Sequence, residues 1–106
     1  MTRAYFELDI IGNPDECAVP PVEALITKHG GVIKGCKLYG EKKLAYPIAK
    51  YDCGFYYEWL MEFDEDEIPE LLDDLNTTDA VLRYLCVMQN EKELHSYWRK
   101  EMEGEN

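Results

Sequence analysis

Apolar and polar residues alternate along YFELDII, Tyr5 to Ile11, with Phe6, Leu8 and Ile10 set against Glu7 and Asp9. A period of two predicts a half-buried strand. Gly12-Asn13-Pro14-Asp15 follows with the residues of a turn. Pro20-Pro21 forbids a helix running through it, but Pro21 can open one, because the first helical turn has no internal partner for its N–H groups. Val22, Leu25 and Ile26 then share a face of a short helix, which Gly30-Gly31 ends.

Val32 to Ile48 is long for one strand. At about 3.3 Å per residue it would reach about 55 Å, against a radius of gyration of about 13 Å for a 100-residue domain. The segment must bend, project, or both, with Gly35 and Gly40 as bend or bulge positions and Pro47 at an edge or strand end. Tyr51-Asp52-Cys53-Gly54 reads as a turn. In FYYEWLMEF, Phe55, Tyr57, Trp59, Met61 and Phe63 share one face and predict a core strand, with Glu58 and Glu62 opposite. Ile68, Leu71, Leu72 and Leu75 then recur at helical spacing, with acids crowding the first turn, where the helix dipole favours them, and Pro69 early enough to be tolerated. AVLRYLCVM closes the pattern as a strand, Tyr84, Cys86 and Met88 alternating with Arg83, Leu85 and Val87.

The order strand, helix, strand, strand, helix, strand predicts an α+β fold of ferredoxin-like βαββαβ type. Its four-stranded antiparallel sheet carries two helices on one face and leaves the other open. The domain is expected over residues 1–90, with an acidic and aromatic tail over 91–106.

At 106 residues, 46% apolar and 31% charged, the chain is one domain rather than a disordered polymer. It shows neither a signal peptide nor an apolar run of the roughly 20 residues a membrane helix needs, so a soluble intracellular product is expected. Cys17, Cys36, Cys53 and Cys86 form no CxxC pair and read as small, partly buried apolar residues in a reducing compartment.

A net charge of -11 argues against a nucleic-acid partner, but the distribution argues for one. From Lys28 to Lys50 there are six lysines and one acid; from Tyr51 to Leu82 there are eleven acids and no Lys or Arg.

Enzyme signatures are scarce. No glycine-rich phosphate loop and no recognisable nucleophile setting is present. His29 and His95 read as solvated, His29 also suiting a helix C-terminus. The acidic run Asp64 to Glu67 lacks the spacing and glycine of a calcium loop and reads as a helix start. The aromatic face from Phe55 to Phe63 is core rather than a base-stacking platform, since Glu58 and Glu62 would repel phosphates. An acylphosphatase-type hydrolase would need a glycine-rich anion loop beside an arginine. No metal site or cofactor is expected. The stretch GEKKLAYPIAK, Gly40 to Lys50, stands out. Adjacent Lys42 and Lys43 point to opposite faces of a strand, as a projecting hairpin permits. On charge alone, phosphate binding there is matched by the plain reading of a Lys-rich tip that stays soluble and resists edge pairing.

The residues Gly40, Lys42-Lys43, Leu44-Ala45-Tyr46-Pro47-Ile48, Lys50 and Gly54 resemble the family of bacterial small-ribosomal-subunit protein number six, of bacterial or organellar type. Asn13-Pro14 after the first strand, and Asp79, Val81 and Arg83 entering the last, add to the likeness, which covers roughly residues 5 to 90. The resemblance implies a ferredoxin-like, non-enzymatic constituent of the ribosome. It would bind small-subunit ribosomal RNA together with ribosomal protein number eighteen. Carried over residue by residue, Lys42 and Lys43 fall on the family's basic pair, Lys50 on its following lysine and Arg83 on a last-strand arginine. With Lys37 these are the candidate contacts to RNA or to the basic partner. Three departures weaken the expected contact: a short first helix bearing Pro20-Pro21, Leu82 where many relatives carry arginine, and Lys for Arg in the basic pair, which loses the bidentate fork. In the tail, Leu94, Tyr97, Trp98 and Met102 could stripe a short helix, and Tyr97 and Trp98 are candidate protein-partner contacts. The competing expectation is a ferredoxin-like interaction or regulatory module that binds no RNA.

Overall fold

The computed structural model describes residues 2–89. The elements run β1 (Arg3–Gly12), α1 (Val19–Lys28), β2 (Val32–Ile48), β3 (Tyr51–Asp64), a 3-10 turn (Glu65–Glu67), α2 (Ile68–Asn76) and β4 (Val81–Gln89). All pairings are antiparallel, in the order β2-β3-β1-β4. This is the α+β arrangement expected from the sequence pattern.

Each strand has period two, so one sheet face collects Phe6, Leu8 and Ile10 with Tyr57, Trp59, Met61 and Phe63. Val22 and Ile26 of α1 and Leu71 and Leu75 of α2 close over that face. Trp59 is fully buried, and its indole N–H donates to Glu23 on α1 at 2.9 Å, so its one polar atom is satisfied.

The prolines sit deeper in α1 than expected. The helix begins at Val19, and both Pro20 and Pro21 lie inside its first turn. The first N–H with an internal acceptor is that of Val22, which donates to Ala18 at 3.0 Å, so neither proline forfeits a bond. The helix ends as its glycines foretell: Gly30, at φ +84°, donates to Thr27, and Gly31 donates to Ile26 at 2.8 Å.

β2 bends as its length requires, since the molecule's longest dimension is 38 Å. Register slips at Ile33/Gly35, at Leu38/Gly40 and at Lys43/Ile48. Gly40, at φ +83°, supplies a conformation that other residues adopt at a cost.

The turn at the end of the arm, the hairpin that distal β2 past Gly40 forms with the start of β3, lies earlier than the sequence suggests. Ile48 pairs with Tyr51, leaving Ala49 and Lys50 as the two-residue loop, with φ of 46° and 71°. Positive φ at both central positions is what a tight right-twisted hairpin demands, although neither residue is glycine. Tyr51 to Gly54 therefore belongs to β3. Gly54 is there for room rather than for turning: a Cβ would lie 2.7 Å from Ile11 and 3.1 Å from the Gly12 carbonyl.

Two of the four cysteines depart from the expectation of partial burial. Cys53 and Cys86 are half-buried, but Cys17 and Cys36 are exposed. Among the described residues no cysteine joins a cluster of metal-ligating atoms. The tail residues Leu94, His95, Tyr97, Trp98 and Met102 lie outside the described residues.

Candidate nucleic-acid and partner interface

Among the described residues the second sheet face carries no helix. Antiparallel register places Lys37 against Glu58, Glu58 against Asp9, and Asp9 against Leu85, so these four cross the sheet in one row. The next row holds Leu60, Glu7 and Val87. Carboxylate oxygens of Glu7, Asp9 and Glu58 all lie within 4.8 Å of one another. Partial burial, followed by the neighbouring Glu7 charge, pushes the Asp9 carboxyl up to about 7. Burial and the Glu58 charge raise Glu7 in the same way. Lys37 answers this cluster, its ammonium 3.8 Å from Glu58 with side chains only 12% and 13% exposed.

Beyond the sheet the distal part of β2 curls over this open face. Leu44 is buried beside Gly54 and Ile11, and the exposed Tyr46 ring reaches to 5.9 Å from the Arg83 guanidinium on β4. A hollow of about 470 Å³ lies on this face, lined by Asp9, Glu58, Tyr39, Lys42, Tyr56 and Arg83 among others, with Leu85 at its side. The Lys42 ammonium lies 5.4 Å from the centres of both the Tyr39 and Tyr56 rings, distances at which a cation is drawn to an aromatic face.

The expected contact residues thus divide. Lys42 and Arg83 come together on the open face, and Lys37 joins that face but is engaged with Glu58. Lys43 is adjacent to Lys42 and opposite Cys53, on the other face of the ribbon. Lys50 stands at the tip, 5.9 Å from the Tyr51 ring. The lysines nearer the sheet are neutralised: Lys34 lies 3.8 Å from Glu62, and Lys28 lies 3.4 Å from Asp74. Among the described residues no carboxylate stands within ion-pair distance of Lys42, Lys43, Lys50 or Arg83.

Two clusters escape a reading by sequence alone. Glu7, Asp9 and Glu58 are legible as polar positions of alternating strands, but their meeting depends on the β1–β3 register. His29 is not solvated: its side chain is 9% exposed and bonded to Asp74 at 2.7 Å, a partner 45 positions away.

The sequence and the fold have known counterparts. The family model described as ribosomal protein S6 matches residues 15–88. Small ribosomal subunit protein bS6 of Fusobacterium nucleatum subsp. nucleatum is 37% identical over 91 residues, which span 80% of this chain and 97% of that protein. The chain belongs to the ribosomal protein S6 family. It is accordingly a non-enzymatic component of the small ribosomal subunit. Protein bS6 of Campylobacter hominis is 34% identical over 83 residues, spanning 78% of this chain and 57% of that longer protein. The crystal structure of 30S ribosomal protein S6 from Thermotoga maritima superposes with a TM-score of 0.76, covering 95% of this chain and 99% of that one. At 22% identity that likeness speaks for the fold alone.

Proposed function

We propose that the chain is seated in the small subunit by phosphate contacts from Lys42, Lys43, Lys50 and Arg83 to ribosomal RNA, with ribosomal protein number eighteen as its protein partner. The observation that carries this reading is the separation of the cations. Those nearer the sheet and helices have carboxylates at ion-pair distance, whereas the four around the arm have none among the described residues. A cation held beside tyrosine rings rather than a carboxylate keeps its charge available to a phosphate. Lys37, tied to Glu58, contributes to the open face rather than to RNA.

The protein partner fits the open face. A basic chain laid there would meet Glu7, Asp9 and Glu58 and cover Leu85 and Val87, which are exposed. Tyr97 and Trp98 are offered as further contacts to the same partner.

Co-sedimentation with small subunits tests the assignment. Wild-type chain is expected in stoichiometric recovery and Lys42→Glu/Lys43→Glu chain in strongly reduced recovery. Equal recovery of the two would remove the arm from the RNA interface, and absence of both would favour an interaction module without RNA.

A further inference from the structure

His29, which plays no part in the interface above, caps α1 with a ring nine-tenths buried. Its Nε2 lies 2.7 Å from Asp74 Oδ2 on α2. The Asp74 carboxylate also faces Lys28 at 3.4 Å, and a carboxylate accepts hydrogen bonds rather than donating them. The Nε2 atom must therefore carry the proton. In neutral imidazole that leaves the lone pair on Nδ1.

Nδ1 faces the entry of α2. It lies 3.5 Å from Glu67 Oε1 and 3.9 Å from Glu70 Oε2, and makes no hydrogen bond among the described residues. His29 Nδ1 and one oxygen of each glutamate all lie within 4.8 Å of one another, a nitrogen–oxygen grouping that an ion between them would draw together. We propose that His29 Nδ1, Glu67 and Glu70 bind a divalent transition-metal ion of the zinc class, clasping the end of α1 to the start of α2.

The spacing suits such an ion. Bonds of about 2.0–2.1 Å in a tetrahedron set neighbouring ligand atoms about 3.3–3.4 Å apart, so the two glutamates, at 3.5 and 3.9 Å from Nδ1 and within 4.8 Å of each other, must close in. Both are surface side chains free to do so, at 40% and 70% exposed. One imidazole and two carboxylates form a nitrogen–oxygen set that suits zinc better than the all-oxygen cages of calcium or magnesium. Asp74 supplies the outer carboxylate that orients a ligating histidine and raises its basicity. The neighbouring Lys28 is engaged with the same Asp74 oxygen at 3.4 Å.

The test is titration of Zn²⁺, and separately Co²⁺, into the chelator-treated full chain above neutral pH, followed by calorimetry, thermal unfolding and visible absorption. The expected result is one equivalent bound, a raised midpoint of unfolding and a Co²⁺ spectrum without a thiolate charge-transfer band. Glu67→Gln/Glu70→Gln, two exposed changes that leave the core intact, should abolish the binding and the midpoint shift. Asp74→Asn should weaken binding by about 10–100-fold. The proposal is overturned by no binding at one equivalent, by binding unchanged in the double variant, or by a thiolate band placing the ion on cysteine. In the first case the cation between these groups is a proton, and the cluster is an ion-pair clasp only.

Discussion

The two halves of β2 carry lysines under opposite conditions. Near the sheet, Lys34 and Lys37 lie beside β3, whose Glu62 and Glu58 neutralise them. Past Gly40 the ribbon still carries Glu41 and Asp52. Yet among the described residues no carboxylate stands within ion-pair distance of Lys42, Lys43 or Lys50, and Lys42 and Lys50 lie near tyrosine rings instead. A run of lysines uniform in sequence becomes, in space, one part that holds the sheet together and another that projects charge. The chain's bulk anionic charge is thus no measure of the field at the arm, because much of the acid is spent on the inner lysines or gathered at α2.

The sharpest contrast should lie in stability. Trp59→Ala removes the fully buried ring at the sheet's centre and should cost about 3–5 kcal/mol, whereas Tyr46→Ala on the exposed arm should cost under about 1 kcal/mol. Urea titration of both variants checks this, and comparable losses would mean that the arm is part of the core. Next in size, Lys37→Gln leaves Glu58 without its ammonium beside Glu7 and Asp9, and should cost about 1–3 kcal/mol. Lys43→Gln should stay within about 0.5 kcal/mol. Equal costs would erase the distinction between the halves.

Smaller again is the strain at the tip. Ala49 holds φ 46° without glycine's freedom, so Ala49→Asn, which tolerates that region better, should stabilise the chain by about 0.5–1 kcal/mol. Denaturant midpoints read it, and a loss would show that the turn is not strained.

The open face should also report itself through pH. The Asp9 carboxyl titrates at about 7 in the folded chain against an ordinary 3.8. Between these values the folded state holds more protons than the unfolded, so the contribution is complete below about pH 4 and lost as pH rises toward 7. Asp9→Asn should flatten that part of the stability profile, and an unchanged slope would mean that the carboxylates do not share the proton as their geometry implies.

Much of this was written in the sequence. The alternation through Phe6–Leu8–Ile10 and Tyr57–Trp59–Met61 fixes the buried sheet face, and the stripe of Leu71 and Leu75 fixes how α2 covers it. Gly35 and Gly40 mark two of the three places where the long strand slips register. The hairpin turn was misplaced because glycine is read as a turn signal, whereas Gly54 sits inside β3 to let Ile11 approach. The two carboxylate clusters are of another kind. Glu58 meets Asp9, and Asp74 meets His29, across chain separations that no local period encodes. The division among the lysines was hidden for the same reason, since Lys37 and Lys42 differ only in what β3 places opposite them.

The central claim is that the arm's cations, not those beside the sheet, carry the electrostatic work of binding RNA. The salt dependence of affinity for the small-subunit RNA, with protein eighteen present, measures it most directly. Replacing Lys42, Lys43 and Lys50 by glutamine should lower the slope of log affinity against log salt by roughly 0.7 per contact removed, while Lys34→Gln leaves the slope as it was. An unchanged slope in the triple variant, or an equal change in Lys34→Gln, would contradict the account.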